Sequence, residues 1–312
     1  MLKFSQSKIA QSQMLLPTMA VYAVVVWLLC GLFAQGWWLQ LACFGVTTFL
    51  VIELNNVHAL IRIYSRMVSS SFLALSCCAC FLFPSLEGNL MQMFMAASEL
   101  VLLLNYQDRC SPGITFYAFV LFGLASLCDV HVVFLLPLLW LFMAINLLSL
   151  SWRTWGASVI GVLMPYWFWG CWQVLQKDLT PLLNHFLPLG EYQFPFDYSS
   201  LPLNQIAVYA LLILLAVTGT IHFIRKSYAD KIRIRMIFAI FTWTTLYSAV
   251  LLAIQPQHSE VWLRLMILNT APLIGHFIAL TSTRVTNITF WLITLAVLVL
   301  TAYNVWNTSS LF

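Results

Sequence analysis

Apolar segments of about twenty residues follow one another along nearly the whole chain, separated by short polar stretches. Within these segments, apolar and polar residues do not alternate with the period of two that a half-exposed β-strand shows. A helix needs about 20 apolar residues to cross the hydrocarbon layer, and only helices and closed barrels satisfy their backbone there. The pattern therefore predicts an all-α fold, a polytopic integral membrane helical bundle of about eleven helices.

The predicted spans, in chain order, are 15–34, 37–54, 67–84, 89–105, 114–128, 131–149, 154–176, 205–224, 236–254, 261–281 and 285–305. No internal repeat and no low-complexity linker divides them, so we predict a single transmembrane domain, 1–312. The first span follows a basic stretch and is longer than the apolar core of a cleavable signal. It is therefore predicted to be retained as a span.

Composition supports the membrane interpretation. Of the 312 residues, 62% are hydrophobic and 8% are charged, and the mean hydropathy is +0.91. A soluble domain has about 25% charged residues. No soluble core could absorb this much apolar surface.

The basic residues are sorted by side of the membrane. Twelve of the 14 fall in loops of one side, namely Lys3, Lys8, Arg62, Arg66, Arg109, Arg153, Arg225, Lys226, Lys231, Arg233, Arg235 and Arg284. The other side holds the acids Glu87, Asp129, Asp178, Glu191, Asp197 and Glu260. The positive-inside rule then predicts a cytoplasmic amino terminus and an outer carboxyl terminus. The net charge of +4 is not gathered on one face, so the predicted partner is the lipid bilayer and not nucleic acid.

The tenth predicted span, in the stretch RLMILNTAPLIGHFIALTSTR (264–284), contains polar residues that face one way. At about 100° per residue, Asn269 and His276 lie within about 60° of each other, and Arg264 lies on the adjoining arc. A polar group that faces lipid stays unsatisfied at a high energetic cost. This helix is therefore predicted to be internal, and to be kinked near Pro272.

Glu99 lies near the middle of the fourth predicted span, and Gln92 and Tyr106 are each seven residues away on the same predicted face. Glu99 and Asn269 reach nearly the same depth, and His276 lies one to two turns deeper, so a contact from Glu99 to either is permitted. The candidate polar cavity consists of Glu99, Asn269, His276, Arg264, Gln92 and Tyr106. In one interpretation Glu99 carries a proton or binds a cationic or hydroxylated substrate. In the other, these residues form a hydrogen-bonded clasp that holds helices together.

The seventh predicted span ends in the aromatic run PYWFWGCW (165–172). Such a run is typical of an anchor at the membrane interface, and Trp37, Trp38 and Trp262 are predicted at the same level. Stacking against a sugar or a lipid head group is the alternative. The candidate outer-interface contacts are Trp167, Trp169, Trp172 and His185.

Two loops are long enough to have roles of their own. The outer loop 177–204 is rich in Pro, Leu and Phe, which predicts a short amphipathic segment in the interface, either a lid or a plain connector. The inner loop 225–235 holds five cations. It is predicted to set the topology, and anionic lipid head groups would also be attracted to it.

Smaller polar groups indicate internal pairing more than chemistry. The stretch 53–58 could bind a phosphate or pair internally, and pairing is favoured. Asp129 with His131, and His222 with Arg225, are predicted to be interface residues. The cysteines at 77, 78 and 80 have no His or carboxylate close in sequence, so they are predicted to pack, and neither a metal nor a cofactor is predicted.

Several enzyme classes lack support in the sequence. It contains no GxxxxGK[ST] phosphate loop, no HExxH and no GxSxG. The first outer turn, Gln35-Gly36, is too short to hold the acidic residues that polyprenyl-dependent membrane glycosyltransferases have in their first outer loop. No catalytic residue is predicted.

Four stretches carry a resemblance to a known family: IRIYSR (61–66), GLASLCDVHVVFLLPLLWLF from Gly123, SWRTWG (151–156), and LNTAPLIGHFIALTSTRVTN (268–287). Over 62–172 and 233–306 the chain resembles a family of polytopic inner-membrane proteins of Bacteroidota known as a domain of unknown function. The resemblance implies a bacterial inner-membrane location next to a periplasm. It implies no substrate and no site residue.

Three functions remain open at this point. The first is the handling of lipid-linked or envelope precursors at the outer leaflet. The second is proton-coupled transport of a small solute, with Glu99 and His276 titrating. The third is a non-catalytic role as a partner of other membrane proteins. We favour the first, because the outer aromatic residues are denser than the titratable residues at mid-depth and an odd number of spans fits a two-fold transporter poorly.

Overall fold

The computed structural model describes residues 5–190, 198 and 201–309. Helices make up 85% of the structure, and this part of the chain has no β-strand, which confirms the all-α prediction. The α-helices within it are α1 (Ser5–Ala10), α2 (Leu15–Leu29), α3 (Leu32–Gln35), α4 (Trp38–His58), α5 (Met67–Cys78), α6 (Leu86–Leu102), α7 (Pro112–Cys128), α8 (Leu136–Ile145), α9 (Trp152–Gln176), α10 (Thr180–Phe186), α11 (Leu203–Lys226), α12 (Ile232–Ile254), α13 (Ser259–Leu280) and α14 (Arg284–Ser309).

A helix lies at every one of the predicted span positions. Among the described residues, five helices are long and apolar enough to cross a membrane, namely α4, α11, α12, α13 and α14. Shorter apolar helices are α2, α5, α7 and the segment Val130–Ile145, which ends with α8. The described part of the chain is therefore all-helical, with five candidate membrane-spanning helices.

Some helices end earlier or later than the sequence predicted, for identifiable backbone reasons. α2 stops before Gly31, whose φ of 93° cannot continue a right-handed helix. α8 starts at Leu136, so that Pro137, which has no N–H to donate, lies in its first turn. In contrast, α4 runs on to His58, which places the polar stretch 53–58 in its last two turns.

Helix α13 lies in the centre of the bundle, and 94% of its most apolar window is buried. It packs against α5, α11 and α12, and more lightly against α6 and α1. Two glycines allow the backbones of neighbouring helices to approach closely: a Cβ on Gly275 would lie 3.0 Å from the Val68 backbone of α5, and one on Gly219 of α11 would lie 2.9 Å from the Leu273 backbone. The prediction of an internal tenth span is confirmed. Pro272 lies inside this continuous helix, and its kink stays a prediction.

A second group of helices packs beside this centre. α6 contacts α4 on one side and α7 on the other, and α7 packs in turn against α9. Because α6 also touches α13, it is the element that brings polar residues of this second group to the central helix.

Loop 177–204 contains one short helix in its described part. α10 begins at Thr180, with Pro181 in its first turn, and is followed by a 3-10 turn, Leu187–Gly190. A short helical segment in loop 177–204 was predicted. Three charged residues that were assigned to a side of the membrane lie outside the described residues: the predicted outer acids Glu191 and Asp197, and the predicted inner Lys3.

Candidate functional site

Glu99 and Asn269 meet in the middle of the bundle. Asn269 Nδ2 donates to Glu99 Oε1 at 3.0 Å and also to the Leu265 carbonyl one turn earlier in α13, at 3.1 Å. Asn269 is fully buried and Glu99 is 7% exposed. The contact that the matched positions of these two residues permitted is therefore present, between buried side chains. Glu99 Oε2 and Asn269 Oδ1 have no hydrogen-bond partner within the described part of the chain.

Arg264 lies in the first third of α13 and is also buried. Its Nη1 donates to Asn89 Oδ1 at 3.2 Å, and its Nη2 donates to the carbonyl oxygen of Leu82. Leu82 ends the 3-10 turn that follows α5, so the cation satisfies a carbonyl at a helix carboxyl end, where positive charge is favourable. No carboxylate of the described residues lies within 4.0 Å of the guanidinium. Arg264 is therefore held by neutral oxygen acceptors.

Two residues of α6 complete the contact with Arg264. Gln92 Nε2 donates to the Arg264 carbonyl at 3.2 Å. A Cβ on Gly88 would lie 2.5 Å from Arg264 Nε, so the guanidinium lies directly against this glycine. The residues Asn89, Gln92 and Glu99 thus form one face of α6 that follows α13 from Arg264 to Asn269.

His276 does not belong to the same contact. Its Nε2 lies 3.1 Å from Asp230 Oδ2, and both side chains are buried. Arg62 reaches the other oxygen of Asp230, with Nη1 at 3.9 Å from Oδ1. The rings of Phe238 and Phe223 surround the imidazole, with centroids 4.7 and 5.5 Å away. The helix geometry permitted a contact with Glu99, but the partner of His276 is Asp230, which comes from the basic loop 225–235.

The prediction that Tyr106 shares a helix face with Gln92 and Glu99 is wrong. α6 ends at Leu102, and a 3-10 turn carries the chain to Asn105, so the seven-residue spacing no longer defines a common face. Arg233 instead lies over the Tyr106 ring, with Cζ 5.9 Å from its centroid.

Arg233, at the start of α12, also joins three helices. Its Nη2 lies 3.0 Å from His58 Nδ1 and 3.3 Å from the Leu103 carbonyl. His58 Nε2 contacts the Leu100 carbonyl at 3.1 Å. Arg233 and Asp230 therefore have packing roles in addition to the topology role that was predicted for loop 225–235.

Internal pairing is confirmed for the stretch 53–58. Asn56 donates to Glu53 at 3.3 Å, and Arg66 donates to Asn56 at 3.2 Å.

At the opposite end of the bundle, Asp129 Oδ1 lies 2.8 Å from His131 Nδ1. His258, at the start of α13, stacks on His131 with ring centroids 3.5 Å apart. Sequence analysis did not identify His258, which is more than 120 positions from its partner.

The predicted outer-interface residues separate into two groups. Trp167 and Trp172 are 70% and 59% exposed, as expected for anchors in lipid or its interface. Trp169 and His185 are half-buried and pack edge to face, with centroids 5.3 Å apart. Trp262, predicted at the same level, is fully buried, so its assignment to the interface is wrong.

His185 fastens α10 to the end of α7. Its Nε2 lies 3.1 Å from the Ser126 carbonyl, and Tyr166 donates to Ser126 Oγ at 2.9 Å. Burial lowers the pKa of His185, and the Ser126 carbonyl opposes this change. His185 therefore links α10 to the end of α7 through the Ser126 carbonyl.

An apolar cavity of about 280 Å³ lies between the start of α11, the end of α12 and the start of α13. Leu201, Ile206, Ala253 and Leu263 line it, together with Tyr198. The nearby polar groups are already used: Tyr198 donates to the Ala253 carbonyl at 2.7 Å, and Ser259 donates to Gln205 at 2.8 Å. Ile206 is 43% exposed, so the cavity can be reached from the surface.

The described residues offer no group of three or more His, Cys, Asp or Glu side chains placed to hold a metal ion. Sequence analysis did not identify two residues of these polar contacts, Asn89 and Asp230. Asn89 is one turn from Gln92, a signal that could have been used, whereas Asp230 was hidden among the cations of loop 225–235.

Comparison of the chain with protein-family models, with curated proteins and with solved structures finds no match. Function therefore has to be argued from the geometry of this chain alone.

Proposed function

We propose that this chain is a multi-pass protein of a bacterial inner membrane, with eleven spans, a cytoplasmic amino terminus and an outer carboxyl terminus. The number of spans is supported by the helices found at every predicted position. The orientation is supported by the distribution of Lys and Arg, and by the packing of Arg233 and Arg62 at the same end of the bundle.

We infer further that the protein handles a lipid-linked or envelope precursor at the outer side of this membrane. The observation that carries this proposal is the apolar cavity of about 280 Å³ at the end of the bundle where α13 begins. Its size is near the lower end of the range for small-molecule sites, and its wall offers hydrocarbon contacts without free hydrogen-bonding groups. Such a wall favours the hydrocarbon tail of a lipid carrier.

The surroundings of the cavity suit the rest of such a molecule. With the proposed orientation, the cavity, α10 and the exposed Trp167 and Trp172 all lie at the outer end. Aromatic rings at this level bind head groups and sugars by stacking, while the tail remains in an apolar groove. No chemical step is part of the proposal.

The test uses a polyprenyl phosphate with a photoactivatable diazirine in its tail, added to the full chain in lipid nanodiscs. We expect crosslinks in 201–209 and 252–263, and a loss of these crosslinks in Ala253→Phe, which fills the cavity. Ala210→Phe, on the exposed side of α11, is the matched control and should label as the unchanged chain does. Crosslinks spread evenly over lipid-facing helices, or unaffected by Ala253→Phe, would contradict the proposal.

A second candidate is the non-catalytic partner of other membrane proteins. The Glu99–Asn269 and Arg264–Asn89 contacts favour it, because polar side chains that bind each other in a dry bundle act as a clasp between helices. This candidate predicts no specific labelling by the probe in either variant.

Proton-coupled transport has less support. It requires Glu99 and His276 to border a cavity, and neither lines the outer cavity or the larger apolar cavity between α2 and α14. Its test is solute uptake by Glu99→Gln, which should be abolished if Glu99 carries the proton and unchanged if Glu99 is part of a clasp.

A further inference from the structure

Two histidine rings join distant parts of the chain where α13 begins. His131 lies in the 3-10 helix Val130–Leu135 between α7 and α8, and His258 ends the 3-10 turn Pro256–His258 between α12 and α13. The two imidazoles stack, with their centroids 3.5 Å apart and their planes inclined by 27°. This contact therefore ties the connection that follows α7 to the start of the central helix.

The stack has room for one positive charge but not for two. Asp129 Oδ1 lies 2.8 Å from His131 Nδ1, so this carboxylate offsets one proton on the pair. A second proton would place like charges on rings whose centroids are 3.5 Å apart, which disfavours the charged form. Burial adds to this cost, because His131 is 4% exposed and its Nε2 has no hydrogen-bond partner among the described residues. In acid, the stacked pair therefore holds one proton fewer than two separated imidazoles.

The other ionisable groups around the pair do not supply a second negative charge. His185 of α10 faces the ring of His131 and is itself a base. Glu260 of α13 interacts with Arg264, and Glu87 of α6 is not within 4.0 Å of either ring. Within the described part of the chain, the carboxylate of Asp129 alone lies within 4.0 Å of the stacked rings.

The turn that ends at His258 adjoins the outer cavity on both sides. Ala253, shortly before the turn, and Ser259, directly after it, both line this cavity. The His258 N–H donates to the Gln255 carbonyl at 3.2 Å, which gives the turn its 3-10 form. A displacement of the turn therefore changes the wall of the cavity.

We propose that the stacked pair of His131 and His258 is an acid-sensitive latch at the outer side of the membrane. At neutral pH the stack holds the turn Pro256–His258 against the connection between α7 and α8. As the pH falls below about 6.5, the separated imidazoles take up the proton that the stack excludes, so the released turn becomes favoured. Release loosens a wall of the outer cavity whatever this cavity binds, so the latch does not depend on the lipid-carrier proposal.

The test measures amide hydrogen exchange of the full chain in lipid nanodiscs at pH 8 and pH 5, corrected for the intrinsic exchange rate at each pH. Because the His258 amide is hydrogen-bonded, peptides covering 255–262 report the release of the turn. We expect the equilibrium constant for release to rise about 30-fold at pH 5, because an imidazole with an ordinary pKa of about 6.5 takes up its proton only after release. Peptides within 266–277, in the buried centre of α13, should show no change.

Two variants remove the repulsion and keep an aromatic stack. His258→Phe and His131→Phe should each abolish the rise at pH 5, because a single positive ring packs favourably on a phenyl face. His185→Phe is the matched control and should keep the rise, since His185 packs on Trp169 and not in the stack.

Three results would overturn the latch: a release constant that does not change with pH, the same rise in His258→Phe, or a rise that disappears in His185→Phe. If His258→Phe does not fold, an unchanged rise in His131→Phe would overturn it instead.

Discussion

Helices α13 and α14 follow each other in the chain, and both qualify as membrane-spanning, but they occupy opposite environments. α13 has a hydropathy of 1.5 and is 94% buried, whereas the more apolar α14 has a hydropathy of 2.0 and is 17% buried. In water the more apolar helix would be the internal one. In a bilayer apolar side chains gain little by leaving lipid, while polar side chains gain partners by turning inward.

The contacts of the two helices agree with this argument. Arg264, Asn269 and His276 of α13 each find a partner from a distant part of the chain. Several hydroxyls of α14, such as those of Thr289 and Thr294, bond to carbonyls one turn earlier in the same helix. α13 is thus held by interhelical polar contacts, and α14 satisfies these polar groups by itself.

Of the variants that test this comparison, Arg264→Met should lose the most unfolding free energy. The change leaves the Asn89 amide oxygen and the Leu82 carbonyl without their donor, and we expect a loss of about 3 kcal/mol in unfolding free energy. Denaturant titration of the purified chain in detergent measures it. Arg153→Met, at an exposed position of α9, is the matched control and should change stability by less than about 0.5 kcal/mol. Equal effects would show that burial of Arg264 does not matter for the fold.

An intermediate loss of unfolding free energy is expected where the backbones of α11 and α13 approach each other. Gly219→Ala places a methyl group 2.9 Å from the Leu273 backbone, and such overpacking costs about 1 to 3 kcal/mol. Gly45→Ala in α4 meets no atom within 4 Å and should instead stabilise by up to about 1 kcal/mol through helix propensity. The same titration compares the two variants, and a shared sign would contradict the close packing of α11 on α13.

The smallest losses of unfolding free energy are expected from Asn269→Leu and Glu99→Gln. Interhelical hydrogen bonds in membranes contribute about 0.6 to 2 kcal/mol, so we expect a loss of about 1 kcal/mol, because Glu99 then has no donor. Glu99→Gln keeps an oxygen acceptor for Asn269 and should cost less. Thr289→Leu on α14 serves as the control, since this hydroxyl contacts only its own helix. A Glu99→Gln loss larger than that of Asn269→Leu would show that the carboxylate has another partner.

Local reasoning succeeded where regular helix geometry was sufficient to decide the outcome. The internal position of α13 follows from the common face of Asn269 and His276, because only the bundle interior can satisfy both. The match in depth between Glu99 and Asn269 follows from counting residues along two straight helices. Tyr106 failed the same test because the sequence does not show that α6 stops at Leu102.

Partners were harder to predict than faces. His276 pairs with Asp230, and His131 stacks on His258, because chain connections bring together residues that are far apart in sequence. Tryptophan is a residue type typical of interface anchors, yet Trp262 is fully buried because its helix is surrounded by others. Such assignments depend on which helices are neighbours, and hydropathy alone does not contain that information.

By itself, the sequence determined the class of this protein: an all-helical chain too apolar for water, in which one helix is too polar for lipid. The tertiary structure alone decided which side chains meet and where the two apolar cavities lie. The physical reason is that the bilayer acts on each helix separately through its composition. Cavities and polar contacts arise only between helices, where packing and chain connection select the neighbours.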